Sequence, residues 1–185
     1  MRIIAGQYRG RRIPVPALTG LRPTPDRVRE TLFNWLGQWL EGVSCLDLFA
    51  GSGALGFEAA SRGAAAVVMV EHARAAYNAL EKTRQMLGAS QVELLFEDAH
   101  AYLERSTREF HVVFLDPPFG QNALPRLLER LPRVLAPHAR VYIESPSPLE
   151  AKAPWSELRR ARAGQVHYQL FQWRSDDQGG IPRNV

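Results

Sequence analysis

One stretch constrains the fold more than any other: residues 112–115, all apolar, run directly into Asp116-Pro117-Pro118-Phe119. Four consecutive apolar residues predict a strand that is buried on both faces, as in a parallel sheet. Pro117 and Pro118 must end that strand, because proline has no N–H group for the hydrogen-bond ladder. Asp116 is therefore predicted at the carboxyl end of a central strand, where open α/β sheets bind their ligands.

The two prolines also predict a rigid loop, since each fixes its own backbone φ angle. The Asp116 carboxylate, the Pro117 carbonyl and the Phe119 ring should then keep fixed relative positions. Two acceptors beside an aromatic face suit a planar group with N–H donors, such as the exocyclic amine of a nucleobase. The alternative is a strand that ends in an ordinary polar turn. We would prefer that alternative for an isolated Asp-Pro pair, but not for this longer pattern.

A second pattern predicts a nucleotide-binding turn. Three glycines, Gly51, Gly53 and Gly56, follow a predicted strand over residues 44–48 with the spacing G-x-G-x-x-G. Glycines allow a tight turn and a close approach of a ligand to the backbone. Glu71 ends the next predicted strand, 20 residues after Gly51, which is where the acid that binds ribose hydroxyls occurs in nucleotide-binding folds.

The glycine spacing alone fits a dinucleotide or S-adenosylmethionine, and Asp47 separates them. A buried acid four residues before Gly51 would accept hydrogen bonds in the glycine turn or act through water on an ammonium group. It would repel a pyrophosphate, so it favours a cationic ligand with an amino-acid tail. Asp98 follows a later strand and has two open interpretations. It could accept a bond from an adenine amine, or it could only cap the next helix.

Positive charge is concentrated at the start of the chain. Seven arginines and two acids give residues 1–30 a net charge of +5, whereas the whole chain carries +4. The planar guanidinium group of arginine suits phosphates and base edges. A GC-rich genome would explain the preference for arginine over lysine, but not its concentration in one segment.

Two short strands, over residues 2–5 and 12–15, are predicted to form a basic hairpin between glycines. Tyr8 lies among its arginines, so we interpret the hairpin as a stacking and phosphate-binding surface for RNA. A solvated edge hairpin is the alternative. With two arginines from the segment that follows, the residues predicted to contact RNA are Arg9, Arg11, Arg12, Arg22 and Arg27.

The next element is a helix that is predicted to begin with Thr24 as N-cap and Pro25 as its first residue. Apolar residues on one helical stripe are predicted to be core: Val28, Leu32, Trp35, Leu36, Trp39 and Leu40. Later helices are predicted from the glycine turn to about residue 62 and over residues 74–87, 99–105 and 124–135. Later strands are predicted over residues 66–70, 91–96, 110–115, 139–144, 157–163 and 165–174, the last two forming an antiparallel hairpin.

The length and composition of the chain exclude several classes of protein. The 185 residues favour one domain, and 45% hydrophobic and 23% charged residues are ordinary for a soluble globular protein. No apolar run approaches the roughly 18–20 residues of a membrane helix. Cys45 has no partner for a disulfide, and we expect a cytoplasmic monomer. The five histidines show no ligand spacing with cysteine or acids, so we predict no metal.

Together, these motifs resemble the RsmD family, bacterial methyltransferases that act on guanine N2 in the 16S ribosomal RNA of the 30S subunit. The resemblance rests mainly on residues 22–34 (RPTPDRVRETLFN), 47–56 (DLFAGSGALG) and 116–119 (DPPF). Residues 2–6 (RIIAG) and 163–166 (AGQV) extend it over nearly the whole chain. One departure is Ala73, where relatives often carry a second acid.

The resemblance implies a Rossmann-like α/β fold, the class I S-adenosylmethionine-dependent methyltransferase sheet of seven strands with the last antiparallel. With the hairpin and the polar, glycine-containing end of the chain, this divides the sequence into a basic hairpin and loop (residues 1–23), a methyltransferase domain (24–174) and a flexible tail (175–185). S-adenosylmethionine would be bound by Asp47, Phe49, Gly51, Ser52, Gly53, Glu71, His72, Asp98 and Ala99. The guanine amine would be held at the catalytic residues Asp116, Pro117 and Pro118, with Phe119 stacking on the base.

Three other functions compete with this interpretation. A nicotinamide-dependent oxidoreductase is supported by the glycine spacing alone, and Asp47 argues against it. A non-catalytic RNA-binding module would use the basic hairpin on an inert fold. Methylation of adenine N6 or of a protein glutamine is the closest enzymatic alternative. Aspartate rather than asparagine at position 116 and the basic start of the chain favour a nucleic-acid guanine.

Overall fold

The computed structural model describes residues 1–15, 24–118 and 123–174, and these form one seven-stranded sheet with helices on both faces. The helices are α1 Asp26–Leu36, α2 Ala54–Ser61, α3 Arg74–Leu87, α4 Ala99–Arg105 and α5 Ala123–Arg130. The strands are β1 Ser44–Asp47, β2 Ala66–Glu71, β3 Val92–Phe96, β4 Phe110–Leu115, β5 Leu135–Ser145, β6 Trp155–Ala163 and β7 Val166–Trp173.

The strand order is β3-β2-β1-β4-β5-β7-β6. Strands β1 to β5 pair in parallel, and β7 runs antiparallel to both of its neighbours, β5 and β6. The expected class I methyltransferase sheet is thereby confirmed. Because parallel strands end at the same edge, the residues that follow β1, β2, β3, β4 and β5 are brought together there.

The central strand β4 is buried on both faces, as its apolar run predicts. Val112 and Phe114 pack in the part of the core that includes α1, and Val113 and Leu115 pack in the part that includes α4. All four side chains are fully buried. The strand therefore holds the residue that follows it, Asp116, between the two layers of the core.

The predicted helix over residues 124–135 is wrong at its end. Helix α5 stops at Arg130, a 3-10 turn follows over Leu131–Val134, and the chain enters β5 at Leu135 rather than at 139. Pro132 explains the change, because it has no N–H group to continue the α-helical hydrogen bonds. The predicted bounds of α3, α4 and β4, by contrast, are confirmed at both ends.

Two predictions about α1 need correction. Its N-cap is Pro25, not Thr24, whose hydroxyl bonds elsewhere. Trp39 is 62% exposed rather than buried, because the helix already ends at Leu36. Gly37 adopts a left-handed conformation (φ 99°) that turns the chain away from the helical stripe.

The N-terminal segment, residues 1–13, forms less of a hairpin than predicted. In place of two strands there is a single antiparallel bridge, Arg2 to Arg12. The backbone between them turns to α2 instead: the N–H groups of Ile4 and Ala5 donate to the Glu58 carboxylate at 2.9 and 3.1 Å. Backbone bonds still join the two arms, from the Ile3 N–H to the Arg11 carbonyl and from the Ile13 N–H to the Met1 carbonyl, and the hydrogen bonds to α2 supplement this short ladder.

The prediction that Tyr8 offers a stacking surface is wrong. Its side chain is only 7% exposed and packs with Ile3 and Ile13 in the same core cluster as α1 and α2. Its hydroxyl group lies 3.4 Å from the Gln91 amide oxygen, just before β3. Tyr8 therefore fastens the N-terminal segment to the sheet.

Gly6 offers a test of this docking. It has φ 81°, and a Cβ atom added to it would lie 1.8 Å from the Ser61 carbonyl oxygen in α2. We expect Gly6→Ala to lower the free energy of unfolding by about 3 kcal/mol, from backbone strain plus overpacking. Gly10 is the matched control, since it has φ 80° but open space around it. Gly10→Ala should cost only the strain, about 1 kcal/mol. Equal costs in urea unfolding would contradict tight docking.

Within the described residues, no helix is both long enough and apolar enough to span a membrane.

Candidate active site

A cavity of about 870 Å³ opens where β1, β2, β4 and β5 end. This volume is within the usual range for small-molecule sites. Ten of the predicted site residues line it: Asp47, Phe49, Gly51, Ser52, Glu71, His72, Ala99, Asp116, Pro117 and Pro118. Other parts of the wall come from the starts of α1, α2 and α3, from Glu97 and Glu144, and from the turn between β6 and β7.

The glycine turn has the geometry that its sequence predicts. Gly51 and Gly53 have φ angles of 52° and 80°, which favour glycine. Gly56 brings α2 close to β2, since a Cβ atom there would lie 2.7 Å from the Met69 sulfur. The Asp47 carboxylate accepts the Gly56 N–H at 3.0 Å, so its predicted hydrogen bond in the glycine turn is confirmed.

Glu71 is fixed by two backbone donors. Its Oε2 accepts the Gly51 N–H at 2.8 Å, and its Oε1 accepts the Ala73 N–H at 2.6 Å. The side chain is 8% exposed and lies on the cavity wall. These bonds place an oriented carboxylate beside the glycine turn, and its role toward a ribose stays a prediction.

Asp98 caps α4, as one of its two interpretations predicts. Its Oδ1 accepts the N–H groups of His100 and Ala101 at 2.9 and 3.2 Å. The side chain itself is exposed, while its neighbours Glu97 and Ala99 line the cavity. A bond from Asp98 to an adenine amine stays a prediction.

Asp116 follows β4 directly, at the centre of the edge formed by the carboxyl ends of the parallel strands, which confirms its predicted position. Burial raises the pKa of its carboxyl group well above the ordinary value, and repulsion from Glu144 and Asp47 raises it further. No donor among the described residues offsets these effects. Pro117 and Pro118 line the cavity beside it, whereas Phe119 lies outside the described residues.

Glu144 is a site residue that the sequence predictions missed. It is the penultimate residue of β5, is 6% exposed and lines the cavity. Its Oε1 accepts the Tyr142 hydroxyl at 2.9 Å and the Thr24 hydroxyl at 3.2 Å. Burial raises the pKa of the Tyr142 hydroxyl well above its usual range, and the Glu144 carboxylate raises it further. An acid at the end of a predicted strand beside β4 was the available signal.

The charge of the cavity restricts its ligand. Five acids contribute to its walls: Asp47, Glu71, Glu97, Asp116 and Glu144. No lysine or arginine is found among the lining residues in the described part of the chain. A pyrophosphate would be repelled, whereas a cation would be attracted. The wall therefore favours the cationic ligand that Asp47 predicts.

The predicted RNA-contacting arginines are all exposed where described, but they lie in two places. The backbone of Arg12 forms the β-bridge with Arg2, and the Arg2 side chain lies 3.5 Å from the Asp26 carboxylate at the start of α1. Arg27 is in the same turn of α1. Arg27 is close to the cavity, since Thr24, Pro25 and Val28 line it.

The second group lies farther away. Arg11 donates to the Met86 carbonyl at 3.1 Å, in the last turn of α3. Because α3 starts near the carboxyl ends of the parallel strands and runs back along the sheet, its last turn is near the amino ends of those strands. Arg9 belongs to the same turn of the N-terminal segment, and Arg22 lies outside the described residues.

The ionisation of Asp47 gives a test of its burial. Burial raises the pKa of Asp47 to about 7; Glu71 also raises it, and the Gly56 N–H lowers it. The folded state thus holds this proton more tightly than the unfolded state, so stability should fall as pH rises from 5 to 7. We expect a loss of roughly a few kcal/mol, and a smaller loss in Asp47→Asn. Urea unfolding across this pH range measures both, and equal slopes would contradict a buried ionisable Asp47.

No group of three or more histidine, cysteine or acidic side chains in residues 1–15, 24–118 and 123–174 is arranged to hold a metal ion.

Known proteins resemble this chain over nearly its whole length. The family described as conserved hypothetical protein 95 matches residues 1–172. Ribosomal RNA small subunit methyltransferase D of Escherichia coli K12 is 44% identical over 179 residues, covering 93% of this chain and 89% of that protein. The Haemophilus influenzae protein of the same name is 43% identical over 180 residues, covering 93% of each.

A solved structure shows the same relationship. It is that of yhhF from Escherichia coli, described as a candidate methyltransferase. It superimposes with a TM-score of 0.86 at 41% identity and covers 94% of this chain and 98% of that chain. The chain therefore belongs to the conserved hypothetical protein 95 family, which is the RsmD family that its motifs resemble.

Proposed function

We propose that this protein transfers a methyl group from S-adenosylmethionine to the exocyclic N2 amine of a guanine in 16S ribosomal RNA. One observation carries the proposal: Asp116 and Pro117 share one cavity with the glycine turn and Glu71. A donor on the glycine side and a base on the Asp116 side would therefore meet inside it. The relatives named as small-subunit ribosomal RNA methyltransferases support the choice of substrate.

The residues present fit the donor. S-adenosylmethionine supplies, when bound, an activated methyl group on a positively charged sulfur. The acidic wall suits that charge and the ammonium group of its amino-acid tail. The two bonds that fix Glu71 leave a carboxylate at the edge where nucleotide folds bind ribose.

Asp116 and the Pro117 carbonyl would position the guanine amine. The N2 lone pair is delocalised into the ring, which makes this nitrogen a poor nucleophile. Acceptors out of the ring plane favour a pyramidal nitrogen and stabilise the positive charge that grows on it. The carbon–sulfur bond breaks as the carbon–nitrogen bond forms, and N2 then loses one proton.

The raised pKa of Asp116 fits the removal of that proton. A carboxylate with a raised pKa accepts a proton more readily than an exposed one. A cation bound beside it would favour the ionised form, so the carboxylate would be available before the transfer. The methylated ammonium is itself acidic, and Asp116 needs no further activation.

The RNA would approach from the side of α1. Arg27 is close to the cavity and would bind phosphates that flank the target, while Arg9, Arg11 and Arg12 would bind RNA along the N-terminal segment. A base must leave its stack to enter the cavity, and this costs least in a loop. We propose a loop guanine on an assembled or partly assembled 30S particle, methylated in the cytoplasm.

Mass spectrometry of 16S ribosomal RNA provides the test. A strain that lacks this gene should lose one N2-methylguanine, and the wild-type gene should restore it. Purified protein with labelled donor can then be offered naked 16S RNA and 30S subunits from the deletion strain. Methylated adenine in place of guanine would support the alternative substrate. Binding of NADH but not of S-adenosylmethionine would support an oxidoreductase.

A further inference from the structure

Glu144 and Asp116 lie side by side at the edge of the sheet. In the parallel pairing of β4 and β5, Leu115 is opposite Ile143, so each acid is one residue beyond a paired position. Neighbouring strands are about 4.8 Å apart. Phe114 and Tyr142 are also paired, and side chains alternate along a strand, so both acids point to the face that carries α1.

The Glu144 carboxylate is held in place from two directions. The Tyr142 hydroxyl donates to its Oε1 from the same strand, and the Thr24 hydroxyl donates to the same oxygen from the start of α1. All three side chains are at least nine-tenths buried. A buried carboxylate fixed in this way on a cavity wall is suited to recognising a donor at a defined position.

Guanine presents the donors that such a pair of acids can accept. Its N1–H and its N2 amine are adjacent on one edge of the base. Adenine has an acceptor at N1, whose lone pair would face the carboxylate. We infer that Glu144 is a specificity-determining residue that accepts the guanine N1–H while Asp116 holds the N2 amine. This inference rests on the proposed function, because it names how the same cavity selects its base.

A purely structural role for Glu144 makes a different prediction. If the carboxylate served only to anchor Thr24 and Tyr142, glutamine would replace it well, since the amide oxygen can accept both hydroxyls. If residue 144 instead contacts the base, glutamine can turn its NH₂ group toward N1, and the variant should then prefer a base that has an acceptor at N1. Glu144→Gln therefore separates the two roles.

The experiment compares two bases at the methylated position. Guanine has an N1–H, whereas 2-aminopurine carries the same amine next to an N1 acceptor. Each is placed in synthetic 16S RNA, which is assembled into 30S subunits, and kcat/KM is measured for the wild type and Glu144→Gln. Glu150→Gln is the matched control, because Glu150 follows β5 closely and its side chain is 81% exposed.

We expect the wild type and Glu150→Gln to prefer guanine by about 100-fold, the effect of losing one hydrogen bond to a charged group. In Glu144→Gln, activity on guanine should fall while that on 2-aminopurine rises, so the ratio should drop by about 100-fold. The missing O6 of 2-aminopurine affects both proteins alike, so the change in ratio reports on N1.

The possible outcomes separate the inference from the proposed function. An unchanged ratio in a folded Glu144→Gln protein that still binds S-adenosylmethionine would overturn the role of Glu144. A wild type with equal kcat/KM on 2-aminopurine and guanine would overturn the role of Glu144 even if the variant does not fold. A wild type that methylates neither base at N2 would refute the proposed function instead.

Discussion

Asp116→Ala is expected to lower the single-turnover rate of guanine methylation about 1,000-fold, while the Kd for S-adenosylmethionine changes less than about threefold. The loss follows from the removal of the acceptor that stabilises charge developing on the amine, an effect of about 100- to 1,000-fold in comparable sites. Donor affinity should survive, because the glycine turn and Glu71 form a separate part of the wall. Rapid mixing with labelled donor measures the rate, and calorimetry measures the affinity.

Asp116→Asn is the conservative comparison. The amide oxygen can still accept one N–H of the base, so we expect a smaller loss, about tenfold to 100-fold. Equal rates in wild type, Asp116→Asn and Asp116→Ala would contradict a catalytic Asp116. If RNA binding also stayed unchanged, that result would favour the non-catalytic RNA-binding interpretation.

Glu58→Ala is expected to lower the free energy of unfolding by about 3–5 kcal/mol, the effect of removing one partner from a buried ion pair. Glu58 is fully buried and bonds to Arg29 at 3.2 Å and to Arg62 at 2.8 Å. It also accepts the backbone N–H groups of Ile4 and Ala5. Alanine would remove the carboxylate that pairs with Arg62, leave Arg29 paired with Asp26 alone, and release the N-terminal segment.

Urea unfolding measures this cost, and Glu81→Ala is its control. Glu81 also pairs with an arginine, Arg84 at 2.7 Å, but the pair is partly exposed and should contribute less than about 1 kcal/mol. Similar losses in the two variants would show that the Glu58 cluster behaves as a surface ion pair. Hydrogen exchange at residues 3–13 should rise in Glu58→Ala and not in Glu81→Ala.

The site was predictable from sequence where its chemistry is local. Asp116 and the glycine turn are set by residues within a few positions of one another, and the apolar run of β4 fixes which edge they occupy. Glu144 has no such motif around it. Its role depends on strand order, which places β5 beside β4, and on Thr24, which is 120 residues away.

The N-terminal segment shows the same limit. Ile3, Tyr8 and Ile13 have no helical or strand spacing, so the arginines between them dominate the sequence pattern. What buries Tyr8 is a contact with α2 and Gln91, and local propensity does not report a contact of that range. The prediction that Trp39 is in the core failed for a local reason. Gly37 ends the helix, whereas the apolar stripe in the sequence continues to Leu40.

The contact between Tyr8 and Gln91 also bears on how the protein is made. The two residues are 83 positions apart, so this contact cannot form until the polypeptide has grown past Gln91. The bonds to Glu58 and Ser61 in α2 become possible earlier, when the chain has grown past that helix. The isoleucines of the segment therefore stay uncovered in the nascent chain while only its first elements have been made.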